Sequence, residues 1–330
     1  MRFDSLPRPR LWRTLVLGVG ALLAFALVAC SDDDEPTATS TSEAATSTEA
    51  ASATAEASSF PLTVVDYGGT EVEIPAQPDA IISYSPGGTE ILFAIGAGEQ
   101  VVAVDRFSDY PPQAASLQGV EYSDPDPEAA LSFEPDLVLL TSRQDEQVEV
   151  FRNAGLPVVY LGSADSLDEV YDQIEFLGRV TGHEDGAQAV LDDMHARVDA
   201  VTGALAEVDA GPRVYFEISA DLYSVAPDSF VGGLIEALKG QNVAEGATTQ
   251  FPQLTAEAVI DADPEVVFLA DADFGESLES LRARPGWDAV TAVVDGRVFA
   301  VDPDTSNRPG PRLAEAIEAM ARAMYPDRFP

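Results

Sequence analysis

The sequence EDGAQAVLDDMHARVDAVTGALAEV, residues 184–208, decides how the rest of the chain is read. Its apolar residues fall at Ala187, Leu191, Met194, Val198, Val201, Leu205 and Val208. Steps of three and four place them on one stripe of an α-helix. No proline lies between Pro157 and Pro212, so nothing interrupts a long run, although Gly203 weakens it. Over its whole length such a helix would measure about 37 Å, roughly the width of a small domain. It lies near mid-chain with similar α/β material on both sides. Two readings fit: a strut joining two lobes, or an ordinary amphipathic surface helix.

Working outward, 62–65 and 71–74 flank Gly68-Gly69 as a hairpin. Strands are expected at 80–84, 101–104, 137–141 and 157–161. Helices are expected at 89–95, ended by Gly96, and at 128–133, 144–153 and 167–181, the last with a Ser166/Glu169 capping box. After the strut, strands at 213–218, 266–270 and 298–301 alternate with helices at 230–238, 276–283 and 311–325. Alternation of this kind implies parallel sheets in two Rossmann-like α/β lobes. One segment occurs twice: EAALSFEPDLVLL (128–140) and EAVIDADPEVVFL (257–269) share glutamate, aliphatic, proline, acid and two aliphatics in register. Residues 91–101 and 234–243 echo each other more weakly. We read an internal repeat, one copy per lobe, with lobes at 60–182 and 210–330 and the linking helix at 183–209.

The sequence has 57 acidic residues against 18 basic ones, a formal net charge of −39. Nothing here neutralises phosphates, which excludes nucleic acid as a partner. At the N-terminus Arg2, Arg8, Arg10 and Arg13 precede an apolar run at 15–29, too short for a comfortable membrane span. The run ends in Leu27-Val28-Ala29-Cys30, which resembles a bacterial lipobox. Cys30 is the only cysteine, so it has no internal disulfide partner. Residues 1–30 therefore read as a lipoprotein signal with Cys30 acylated. Residues 31–59, built largely from Ser, Thr, Ala, Asp and Glu, read as a disordered acidic tether.

Two α/β lobes around one strut leave a cleft, lined by the loops after the strands. In the first lobe these carry Tyr84, Ser85, Arg106, Phe107, Tyr110, Thr141, Ser142 and Arg143. In the second they carry Tyr223, Phe251, Asp271, Phe274, Trp287 and Arg308. Aromatic rings with a few arginines suit a large, flat, partly polar ligand. Signs of catalysis are lacking. There is no Gly-x-Ser-x-Gly and no phosphate loop. Gly96-Ala97-Gly98 lacks the third glycine of a dinucleotide fingerprint and follows a helix instead of opening one. His183 and His195 are too far apart to share a helix face, and Asp271-Ala-Asp-Phe-Gly275 fails the spacing of a calcium loop. No resident cofactor or metal is expected. Glu128 and Glu257 open the repeated segment, so the repeat places them at equivalent points. They serve either as first-turn helix residues or as docking points for arginines of a two-fold partner.

Three stretches are similar to the helical-backbone class of periplasmic binding proteins: IISYSPGGTEILFAIG (81–96), SDYPPQA (108–114) and FEPDLVL (133–139). That class serves ABC importers of vitamin B12, ferric siderophores and haem. The second stretch is most like its vitamin B12-binding branch. The resemblance implies a long helix between lobes and a metal-chelate ligand in a shallow cleft. It also implies a glutamate on each lobe docking the permease at Glu128 and Glu257, and aromatic ligand contacts at Tyr110 and Phe251. Thr141 departs from the branch, standing where a tryptophan is found, and so does the 308–312 loop. The expected protein is a monomeric, lipid-anchored receptor for a corrinoid, or else a ferric siderophore or haem. It faces outward on the cytoplasmic membrane and delivers its cargo to a permease dimer with a cytoplasmic ATPase. A two-lobed α/β enzyme and a structural surface lipoprotein are the rivals from other classes.

Overall fold

The computed structural model describes residues 60–329; the signal, Cys30 and tether expected at 1–59 lie outside them. The chain begins with an antiparallel hairpin, β1 (Leu62–Val65) and β2 (Glu71–Ile74). A five-stranded parallel sheet follows: β3 (Ile81–Ser83), β4 (Val101–Asp105), β5 (Gln118–Val120), β6 (Leu137–Thr141) and β7 (Val158–Gly162). Its order is β5-β4-β3-β6-β7. The second sheet holds β8 (Arg213–Ser219), β9 (Tyr223–Ser224), β10 (Gln241–Asn242), β11 (Val266–Leu269) and β12 (Val298–Ala300). Its order is β10-β8-β11-β12, with β9 antiparallel on β8.

The sequence repeat is a structural one. The order β4-β3-β6-β7 in the first lobe corresponds to β10-β8-β11-β12 in the second. Glu134 (φ 50°) and Asp263 (φ 45°) both enter the left-handed region, and each precedes the proline of the repeat. The acid after that proline has the same task in both copies. Asp136 accepts hydrogen bonds from the backbone N–H groups of Asp79 (2.9 Å) and Ala80 (3.2 Å), and Glu265 accepts from that of Arg213 (3.0 Å). Each acid, placed just before β6 or β11, thus fastens the chain at the start of the neighbouring strand, β3 or β8.

The linking helix spans Glu184–Ala204, ending before the expected 208. Beyond Gly203, a weak helix former, the chain turns so that Leu205 is fully buried. Arg328 donates to the Ala204 carbonyl (3.1 Å), satisfying one of the groups left open at the helix end. Ala187, Leu191, Met194 and Val201 are buried, as the periodicity requires. The backbone helix packs against Leu167–Thr181 on the first lobe and Leu313–Met324 on the second. At Gly186 a Cβ would lie 1.9 Å from the Ile95 carbonyl oxygen, so only glycine lets the helix sit this close to the first lobe. One apolar core runs from Ile81 and Leu92 through Met194 to Phe216 and Met320, while the outer face of each sheet has its own core. The helix is therefore no bare rod: it is the centre of a shared core. No helix among the described residues is long and apolar enough to cross a membrane.

Candidate functional site

The loop after β4 is built by a buried polar network. Asp105, wholly buried, accepts from Phe107 N–H and from the Ser108 hydroxyl, each at 2.7 Å. Burial pushes its carboxyl up from the usual range, and those hydrogen bonds pull it partly back. Thr89 donates to Ser83 (2.9 Å) and lies 3.1 Å from Ser108, which ties this loop to the start of helix Pro86–Ala94. The turn so fixed leaves Arg106 and Phe107 exposed. The Arg106 guanidinium lies 4.7 Å from the Phe107 ring centre and 3.6 Å from Glu121; Phe107 meets Tyr122 edge-on at 5.1 Å. Tyr110, further along the loop, keeps 42% of its surface exposed.

After β6, Thr141 hydrogen-bonds through Oγ1 to Gln144 (2.9 Å), and Gln144 donates to the Tyr122 carbonyl (3.0 Å). Ser142 touches Ser163 through their hydroxyls, and Arg143 is exposed. On the second lobe, Tyr223 and Phe251 share a recess of about 460 Å³ with Ile218, Phe230 and Asn307. The backbone brings them together: Tyr223 bridges to Gln253, and Ser224 N–H donates to the Pro252 carbonyl (2.9 Å). Phe274 is almost fully exposed on its turn.

Several expected contacts are placed elsewhere. Tyr84 is fully buried, edge-on to Phe151 at 5.7 Å, and packs in the outer core of the first lobe. Ser85 is buried and caps the helix, accepting from Gly88 N–H (2.9 Å). Trp287 is buried against Tyr215. Asp271 is 4% exposed, and neither carboxylate oxygen has a hydrogen-bond partner among the described residues. These side chains are closed off from any ligand in this conformation. Their positions just beyond a strand or in a loop suggested access, but packing buries them, Tyr84 against Phe151 and Trp287 against Tyr215. Histidines lie by the backbone helix: His183 bonds the Thr181 carbonyl (3.0 Å), and exposed His195 contacts Tyr171.

Asp271 neighbours a buried charge cluster. Glu217, wholly buried, takes both Arg284 nitrogens at 2.6 Å; Arg284 also reaches Glu276 at 2.7 Å. Burial, then the Glu217 charge, pushes the Asp271 carboxyl up to about 6. Its folded value lies above its unfolded one, so its contribution is fully present below the ordinary 3.8 and lost as pH rises through about 6. Asp271→Asn removes the charge that is costly at neutral pH. It is expected to stabilise by about 1–3 kcal/mol near pH 7.5 and by much less near pH 4. Paired thermal melts check this; equal shifts at both pH values would contradict it.

The residue that sequence reasoning missed is Glu90. It is 3% exposed inside helix Pro86–Ala94 and meets two arginines of the other lobe. Arg312 binds it through two nitrogens, at 2.8 and 2.5 Å, and Arg308 approaches to 3.6 Å. Arg308 also pairs with Asp109 (2.9 Å) and Asp304 (2.7 Å), so it bridges the lobes instead of standing free for a ligand. This cluster borders two recesses. Asn307, beside Arg308, lines the 460 Å³ one. Glu90, Arg312 and Tyr110 line a larger one of about 1090 Å³, which continues along the backbone helix past Met194 and Arg197. Tyr110 alone of the predicted contacts borders the larger recess. Glu128 and Glu257 are exposed, each in the first turn of the short helix before its repeated strand, and neither forms an ion pair among the described residues. Nor do the described residues bring together three or more His, Cys, Asp or Glu able to hold a metal ion.

Comparison with known proteins agrees with this architecture. Residues 81–305 match the family model described as periplasmic binding protein. A cobalamin-binding protein of Halobacterium salinarum is 32% identical over 279 residues, covering 82% of this chain and 75% of the relative. An uncharacterized ABC transporter substrate-binding lipoprotein of Bacillus subtilis is 31% identical over 278 residues, covering 82% and 87%. Among solved structures, a periplasmic heme-binding protein from Roseiflexus sp. RS-1 aligns with TM-score 0.67 at 27% identity, over 76% of this chain and 99% of that one. With two duplicated parallel α/β lobes on a linking helix, the chain belongs to the periplasmic binding protein family.

Proposed function

We propose that this protein is the lipid-anchored receptor of an ABC importer, and that it captures a corrinoid between its lobes and delivers it to the permease. One observation carries the ligand assignment: the strand-end loops of both lobes present half-exposed aromatic rings, while their arginines are largely neutralised. Phe107, Tyr110 and Phe251 on loops, with Tyr223 on the short strand β9, offer flat apolar surface. Arg106 faces Glu121, Arg308 is shared by Glu90, Asp109 and Asp304, and Arg312 is held by Glu90. Arg143 makes no ion pair among the described residues, but Asp145 and Glu146 stand beside it in sequence. The net negative charge of this surround would repel a polyanionic ferric catecholate but not a near-neutral corrinoid. The cobalamin-binding relative supports the same choice.

Cys30 carries the lipid anchor, in keeping with the lipoprotein relative. The folded part works outside the cytoplasmic membrane as a monomer, and it catalyses nothing. Glu128 and Glu257 meet the permease dimer, whose ATPase lies on the cytoplasmic side. The second reading, haem or a ferric siderophore, draws on the haem-binding relative of the same fold. Against histidine-ligated haem, both histidines lie by the backbone helix.

A thermal-shift panel of cyanocobalamin, a ferric catecholate and haem tests the choice. At a hundredfold excess over Kd, cyanocobalamin is expected to stabilise by about 2.7 kcal/mol. For a folded part of this size that is about 5 °C. No shift with cyanocobalamin and a clear one with haem or the siderophore would transfer the assignment to that ligand.

A further inference from the structure

We propose that Tyr110, a contact of the first lobe, is positioned by the second lobe: Arg312 backs its ring and Glu90 pins Arg312. The inference rests on the reading of Tyr110 as a ligand contact. The Arg312 guanidinium carbon stands 4.0 Å from the Tyr110 ring centre, a cation–π stack. The same guanidinium is fixed by its two-nitrogen bond to Glu90, whose carboxylate is almost wholly buried. One residue earlier, Asp109 is held by Arg308 at 2.9 Å. Two successive residues of one first-lobe loop are thus gripped by two arginines of the second lobe.

The lobes touch closely at this point. A Cβ on Gly87 would lie 2.3 Å from the Pro309 carbonyl oxygen, so the arginines approach from a backbone already in contact. Arg312 covers part of the ring, and 42% of the tyrosine stays exposed, bordering the larger recess. A tyrosine on an unsupported loop would lose rotamer freedom when a ligand stacks on it. One fixed beforehand does not, and affinity gains accordingly. Glu90 and Arg312 are positioning residues in this sense, and correct lobe register becomes a condition for a competent first-lobe surface.

The test has two arms. First, 3-fluorotyrosine placed at position 110 of the otherwise intact protein reports the ring without any ligand. Wild type is expected to give one fluorine resonance displaced from that of free 3-fluorotyrosine, and R312A and E90Q each to move it back toward the free value. Second, cyanocobalamin Kd is measured in a double-mutant cycle. R312A is expected to weaken binding about three- to tenfold when Tyr110 is present, and less than twofold in the Y110A background. A role limited to bridging the lobes would cost the same in both backgrounds. Unchanged fluorine shifts in both variants, or equal costs in the cycle, overturn the proposal. Failure of wild type to bind cyanocobalamin overturns the ligand assignment instead, while the fluorine arm still decides whether Arg312 positions the ring.

Discussion

Reversing both lobe glutamates, E128K with E257K, is expected to reduce ligand uptake by cells to background while leaving cyanocobalamin Kd within about twofold. Both side chains are exposed and outside the recesses, so neither the fold nor the ligand surface depends on them. Each stands in the first turn of a short helix, where lysine forfeits about 0.3–1 kcal/mol of favourable dipole interaction. Against that small loss, removing one member of a buried charge pair at an interface costs about 2–5 kcal/mol, and reversal adds repulsion. The two sites act together, so the double variant loses more than a thousandfold in docking by this reckoning. The repeat is the structural reason for a pair. Glu134 and Asp263 share a left-handed conformation, and Asp136 and Glu265 anchor their lobes alike, so the helices that carry Glu128 and Glu257 occupy equivalent places. Uptake assays beside calorimetry check this. Uptake that survives in the double variant would remove the docking assignment.

Replacing Tyr110 and Phe251 together by alanine should weaken cyanocobalamin binding by a hundredfold or more. Each ring is about half exposed and has on the order of 60–100 Å² to cover, about 2 kcal/mol by area. Two such losses come to about 3–4 kcal/mol, or a factor of several hundred. Stability should hardly change, because neither ring belongs to a core cluster. Calorimetric titration of the double variant reads the effect. A loss under fivefold would remove both rings from the ligand contacts, and with them both recesses that they border.

Much of the fold was legible because it rests on local pattern. The stripe Ala187-Leu191-Met194-Val201 needs only helical spacing, and the runs that became β6 and β11 need only a proline, an acid and apolar residues. The helix end was not legible. Leu205 continues the stripe in sequence, yet it is buried by a turn, with the carbonyl before it answered by distant Arg328. The site was readable to the extent that exposure follows from loop position. Phe107, Tyr110 and Phe251 stand on loops and are half exposed, whereas Tyr223, expected on a loop, opens the short strand β9 and is half exposed there. Tyr84 and Asp271 also follow strands, but packing decides their burial, and packing has no local signature. Glu90 is the clearest case. Its partners Arg308 and Arg312 lie over two hundred residues away, so a single acid in an apolar helix gave only the hint that something must neutralise it.

The most direct test is calorimetric titration of the wild-type protein with cyanocobalamin, with a ferric catecholate alongside. The proposed function predicts saturable one-to-one binding of cyanocobalamin, abolished or weakened at least a hundredfold in the Y110A/F251A variant, and no saturable heat from the catecholate. Saturable binding of the catecholate, with cyanocobalamin silent, would contradict the corrinoid assignment.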